Sequence, residues 1–222
     1  MSQIQKETLK FLQLLGKNNN KPWFEQHRNA FEAAKTNFLE FNTALISGMQ
    51  KMDNSLFGLE PKKTVFRINR DVRFSKDKSP YKNNMGTTLS KGGKNMMTAG
   101  YYFHLQPANK SFAAIGSYMP APDILQSIRQ EIDYDLAAFK KIIQVTSFKK
   151  YFEGFDDIER LKTVPKGYTA DNPALEYLKN RSFVVSKYFT DKEIQSKDFL
   201  GELLKCYKAA YPLILFLHRA EK

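Results

Sequence analysis

The 222-residue chain holds one cysteine, Cys206, so no intrachain disulfide can form and the fold must rest on its own core. A lone thiol fits a reducing compartment. Cys206 sits in a C-terminal helical pattern between Leu204 and Tyr207, where a buried, inert thiol is expected. Histidine is almost as scarce. His27, His104 and His218 are scattered, and neither a cysteine pair nor H-E-x-x-H accompanies them. No metal site is expected on that ground, and no cofactor is assigned. Nowhere do 18 apolar residues run together, so no membrane span is expected. The opening segment MSQIQKETLKFLQLLG reads as an amphipathic helix stopped by Gly16, without the basic start and cleavage site of a secretion signal. The cytoplasm is the expected address.

Several motifs are also missing. There is no G-x-x-x-x-G-K-[ST] phosphate loop, no G-x-G-x-x-G turn and no G-x-S-x-G elbow. Zinc-finger, basic-zipper and RRM signatures are absent as well. Lys91-Gly92-Gly93-Lys94 is a short Gly-Lys run of the kind found in solvated turns.

Acids are sparse in one place, and that makes the charge informative. Residues 61–120 carry 11 Lys/Arg against two Asp/Glu. They supply nine of the twelve excess positive charges, while the flanking thirds are near balance. A concentrated positive field draws anions: phosphates, nucleic acid, acidic partners. With so few acids there, a divalent-metal nuclease centre built on Asp71, Asp77 and Lys78 lacks ligands.

Apolar residues are ample for a core, with 18 Phe and 11 Tyr. The chain is expected to form one domain over residues 1–222. After the Asn run, Asn20 is positioned to cap a long helix reaching about residue 52. Its apolar stripe runs Trp23, His27, Phe31, Ala34, Phe38, Phe41, Leu45, Met49. From about 64 to 119 the period changes. TVFRINRDVRF reads as an extended segment, and AGYYFHLQ and SFAAIGSYM read as a hairpin around residues 107–110. Between them, MGTTLSKGGKNMM reads as a short strand followed by a mobile loop. Residues 123–152, opened by Asp123 as a cap, and 197–219 read as helices, with a strand near 182–189. The fold class is therefore α+β: a mainly antiparallel sheet from about 64–119 plus 182–189, covered by N- and C-terminal helices.

The segment RINRDVRFSKDKSPYK concentrates the chemistry. On a regular strand over 65–74, Arg67, Asn69, Asp71 and Arg73 share one face. Arg70 then falls among Phe66, Ile68, Val72 and Phe74, where an unpaired charge would be costly. Two readings stand. In one, Arg70 and Asp71 belong to a fixed ion-pair network. In the other, Arg67, Arg70, Arg73 and Lys78 form a receptor for phosphate or carboxylate, with Tyr81 as hydroxyl donor and Asp71 or Tyr81 as proton-transfer candidates. His104, on a strand face opposite Phe103 and Leu105, would meet the cluster if its strand is a neighbour. Aromatics interleave with these cations and could stack bases, though core packing accounts for most of them.

The pattern Arg67-x-x-Arg70-Asp71-x-Arg73-Phe74-x-x-Asp77-Lys78-x-x-Tyr81 resembles the hallmark of a bacterial family, domain of unknown function 2461. NNNKPWF followed by His27-Arg28, AGYYFHL, and PKGYTADNPALEYLKNRSF extend the resemblance over nearly the whole chain. It implies family membership and carries no activity with it. Three functions remain open. The chain binds an anionic small molecule at the Arg/Lys cluster, with or without catalysis; or it is a nucleic-acid-binding module using the basic middle third; or it is an interaction domain whose Arg/Asp motif is structural.

Overall fold

The computed structural model of the protein describes residues 2–93 and 98–221. The chain opens with helices α1 (Lys6–Lys17), α2 (Lys21–Gln26) and α3 (Arg28–Gln50), a single 3-10 turn (Asn54–Leu56) and the short α4 (Pro61–Thr64). Strands β1 (Met85–Ser90), β2 (Gly100–Leu105) and β3 (Ser111–Ser117) follow. Then come α5 (Pro122–Tyr134), α6 (Leu136–Gln144), α7 (Thr146–Lys149) and α8 (Leu175–Leu178). Strand β4 (Phe183–Phe189), α9 (Asp191–Ile194) and the long α10 (Phe199–Ala220) close the chain. The fold is α+β: one four-stranded antiparallel sheet in the order β1-β2-β3-β4, with helices from both ends of the chain packed against it.

Alternation within the strands sends one set of side chains inward. Leu89, Tyr101, Phe103, Ile115 and Val185 are fully or almost fully buried beneath the helices. Phe103 lies at the centre, its ring 5.6 Å from Phe41 of α3 and 5.6 Å from Phe199 of α10. Truncating such a ring to alanine costs about 3–5 kcal/mol. The β2–β3 turn places Ala108 and Asn109 at positive φ. Both carboxylate oxygens of Asp191 accept from their backbone N–H groups, at 3.0 Å each, which holds the turn against α9. The Cys206 thiol is buried in the core.

Several boundaries differ from the sequence expectation, each for a local reason. The helix expected from Asn20 to about residue 52 breaks at His27, whose Nδ1 is 2.8 Å from the Trp23 carbonyl and whose ring stacks on Trp23 at 4.0 Å. Asn20 does cap α2, accepting from the Trp23 N–H at 3.0 Å. The helix expected over 123–152 divides at Asp135, which accepts from the Ala138 N–H and so starts α6. Asp123 lies within the first turn of α5 rather than capping it; the cap position is Ala121. Gly16 is passed, and α1 ends at Lys17.

The largest difference is the segment expected as a strand over 65–74. Only Val65 and Asn69 make isolated bridges, to Thr87 and Tyr81, and the sheet proper begins at Met85. The apolar alternation there imitates a strand. Phe74, however, is 96% exposed, and Phe66 also faces solvent. Side-chain bonds from Asp71 and Asp77 to nearby backbone compete with the sheet and win. Of the Gly- and Lys-rich stretch expected as a loop, β1 ends at Ser90, and residues 94–97 lie outside the described residues.

Candidate functional site

Among the described residues no helix covers the sheet's second face. Register aligns Gly86, His104, Phe112 and Tyr188 in one row across the four strands, and Thr88, Tyr102, Ala114 and Ser186 in the next. These residues floor a groove of about 1120 Å³. Aromatic contacts run along the floor. The rings of Tyr102 and Phe112 are 5.8 Å apart, His104 stacks on Phe112 at 4.7 Å, and Phe112 is 5.4 Å from Tyr188.

Two irregular segments form the groove's rims by lying along the sheet's outer edges. On the β4 side, the Asp156 N–H donates to the Val184 carbonyl at 2.9 Å. On the β1 side, the Phe66 N–H donates to the Gly86 carbonyl at 3.0 Å. The second segment is anchored from α3. Buried Asn42 donates to the Thr64 hydroxyl at 2.8 Å, and Thr87 donates to the same oxygen at 3.0 Å. The chain then leaves the sheet as a hairpin-like loop. Its legs are joined by Arg70 N–H to the Pro80 carbonyl (2.9 Å) and Lys82 N–H to the Ile68 carbonyl (2.8 Å).

The loop's own charges hold its shape. Asp71 takes the Nε and Nη2 of Arg73 in a two-pronged pair at 3.0 and 2.7 Å. Asp77 accepts from the Ser79 N–H at 2.9 Å and from its hydroxyl at 2.6 Å, and pairs with Arg70. Lys78 donates to the Val72 carbonyl at 3.0 Å. The Arg73 guanidinium, then the Arg73 backbone N–H, hold the Asp71 carboxyl below its ordinary range, and the Arg67 charge adds to this. The Ser79 donors, followed by Arg70, do the same for Asp77.

The sequence-predicted residues therefore separate. Arg67, Arg70 and Asp71 line the groove, together with His104 and Lys82. Arg73 points into solvent and Lys78 is committed to the loop backbone; neither lines the groove. Tyr81 is buried, its ring stacked 4.0 Å from Phe24, and it lines a second, basic cleft of about 940 Å³ instead. Arg67 lines both cavities. Arg67 is exposed and makes no hydrogen bond or ion pair with any described residue.

Two hydrogen-bonded pairs in the groove escaped the sequence reading. His104 Nε2 donates to the Gln106 side-chain oxygen at 2.8 Å, so Nδ1 accepts from the Tyr102 hydroxyl at 3.0 Å. Burial lowers the His104 pKa and pushes that of Tyr102 up to about 12, so this pair is neutral near pH 7. On the far rim the Ser186 hydroxyl donates to Asp156 at 2.6 Å. Burial raises the Asp156 pKa, and the serine bond only partly opposes it. Strand alternation could have put Tyr102 and Ser186 on the face opposite their core-facing neighbours, but nothing in the sequence joins Ser186 to a loop residue thirty positions away. Among the described residues no group of His, Cys, Asp and Glu is arranged to hold a metal ion.

The model of one protein family, described as conserved hypothetical protein (DUF2461), matches residues 7–216. The chain belongs to this family. No curated protein and no solved structure matches the chain. In this DUF2461 chain the groove is the surface that gathers chemically distinct groups. It offers cations on one rim, stacking surface on its floor, and hydroxyl and carboxyl groups opposite. No described helix is long and apolar enough to cross a membrane.

Proposed function

We propose that the protein binds an anionic small molecule in the groove over the open sheet face, with Arg67 and Arg70 receiving its phosphate or carboxylate. The observation that carries this reading is the state of Arg67. It is an exposed guanidinium on the groove wall that makes no hydrogen bond or ion pair with any described residue, a few residues from the paired Arg73 and Asp71. Arg70 adds capacity. Asp77 and Ser75 occupy one N–H each, and a guanidinium has five. Forked donors suit phosphate and carboxylate oxygens. Asp71 is better suited to holding Arg73 than to moving a proton, because both of its oxygens are occupied. Tyr81 is replaced as proton-transfer candidate by the groups that do face the groove, Tyr102–His104 and Asp156–Ser186.

Calorimetric titration with pyrophosphate and sugar phosphates tests the proposal. Arg67→Ala should weaken binding about 10- to 150-fold, the effect of losing one charge-assisted bond of roughly 1.5–3 kcal/mol. Stability should change by less than about 0.5 kcal/mol, since Arg67 bonds to no described residue. Arg73→Ala should weaken binding less than Arg67→Ala does, severalfold at most, by loosening the loop and uncovering the Asp71 charge on the groove wall. Undiminished binding by the Arg67 variant, or none by the wild type at millimolar ligand, defeats the reading.

One observation favours a nucleic-acid module instead. The loop tip presents Phe74, 96% exposed and 5.8 Å from the Arg73 guanidinium carbon, with Lys76 exposed nearby. That reading predicts oligonucleotide binding that falls steeply with salt and depends on Phe74.

A further inference from the structure

We propose that the ligand of the groove is a mononucleotide: a phosphate at Arg67 and Arg70, a heteroaromatic base on the aromatic floor, and a base edge bearing N–H donors at Asp156 and Ser186. This rests on the preceding reading that the cationic rim holds an anion, and it adds what the rest of the ligand must be.

The groove is polar at both ends and with opposite signs. Its two rims lie outside β1 and β4, so they are separated by at least three strand spacings, about 14 Å. A bare phosphate or small carboxylate fills only one end of such a span. The floor between the rims is planar side chains in mutual contact, and stacking on such surfaces accepts any flat heteroaromatic ring. Tyr188 completes the row and is 63% exposed, so its ring face is open for a base to cover.

The far rim supplies the remaining specificity. Asp156 is half-buried beside β4, and Ser186 already donates to one of its oxygens. No described residue bonds the carboxylate's other oxygen, which leaves it as an acceptor suited to the amino group or ring N–H of a nucleobase. Asp157 lies next to it on the same rim. Two acids at that end would repel a polyanion crossing the sheet, whereas a ligand with one anionic end avoids them. The charge arrangement therefore favours a monomer over a nucleic-acid strand.

The experiment compares AMP, CMP and GMP with ribose 5-phosphate, the corresponding nucleosides and oligo(dT), by calorimetry on the full chain. The nucleotides should bind at least tenfold more tightly than ribose 5-phosphate and than the nucleosides. Tyr188→Leu, at an exposed position that does not support the core, should reduce nucleotide affinity severalfold and leave ribose 5-phosphate unchanged. Asp156→Asn should do the same, about tenfold. Equal, Arg67-dependent binding of ribose 5-phosphate and nucleotides would overturn the nucleotide assignment while leaving the anion site standing. Tighter binding of oligo(dT) than of any monomer would also overturn it. Failure of every phosphorylated probe to bind in an Arg67-dependent way would remove both readings.

Discussion

Replacing Gly86 with alanine isolates the contact that shapes the groove floor. The φ of Gly86 is not positive, so its backbone conformation is open to any residue. At such a position Gly→Ala ordinarily stabilises by about 0.4–1 kcal/mol, through the unfolded chain. Here a Cβ would stand 2.6 Å from the Tyr102 hydroxyl and 3.1 Å from its ring carbons. The ring cannot simply swing away. Its hydroxyl is bonded to His104, and Phe66 and Phe112 lie 6.1 and 5.8 Å from it. Overpacking of this kind costs about 1–3 kcal/mol, and the strained hydrogen bond adds about 0.5–1.5 kcal/mol, so the net effect is a loss of roughly 1–3 kcal/mol. For a chain of this length that lowers Tm by about 2–12 °C. Thermal melts of the single and double variants form a cycle with Tyr102→Ala. In the background lacking the Tyr102 ring, Gly86→Ala should become neutral or stabilising, giving a coupling of about 1–3 kcal/mol. Additive losses in the cycle would show that the ring does not set the cost at residue 86, and that the floor is not built as described.

Gly116→Ala should be far worse, because φ is +135° and a Cβ would lie 1.8 Å from the Phe183 carbonyl oxygen, a backbone atom that cannot yield without breaking the β3–β4 ladder. Loss of soluble protein or a Tm drop above about 10 °C is expected, and a wild-type melt would contradict it. Burial pushes the Cys206 thiol up to about 12, well above its unfolded value. The neutral thiol favours the native state, so its contribution is fully present below the unfolded thiol pKa of about 8.5 and is lost as pH rises from there toward 12. Denaturant midpoints should fall across that window less steeply in Cys206→Ala, and the wild-type thiol should react with a disulfide reagent only on unfolding. Asp77→Asn should loosen the 70–80 loop, seen as faster amide exchange there, and weaken Arg67-dependent anion binding severalfold by releasing Arg70. Stronger binding would mean that Asp77 competes with the ligand.

What the sequence disclosed depended on how local the cause was. The 2-residue period of β2 and β3, the turn at residues 107–110 and the Asn20 cap are each written in a few adjacent residues, and they were legible. The helix breaks at His27 and Asp135 follow from single side-chain-to-backbone bonds inside otherwise helical patterns, and they were not. The 65–74 segment misled because Phe66, Ile68, Val72 and Phe74 alternate as in a strand, while Asp71 and Asp77 decide the backbone. The groove was the least legible feature. Its floor joins positions 86, 104, 112 and 188 through register alone, and its far rim depends on a loop residue, Asp156, in a stretch with no periodic signal.

The central motif admitted both a structural and a ligand-binding reading, and its members are placed differently. Asp71, Arg73, Asp77 and Lys78 bond to one another or to loop backbone, at an exposed place where such pairs add little to global stability. A network of that kind fixes local shape. The shape it fixes sets the Arg70 guanidinium, three-quarters shielded by its surroundings, on the same groove wall as Arg67. Ordering the Arg70 side chain beforehand removes part of the entropy that an anion would otherwise have to overcome on binding. On the proposed reading, the motif's length reflects a division of labour: a few charges at the rim would meet the ligand, and the rest spend their hydrogen bonds holding the rim in place.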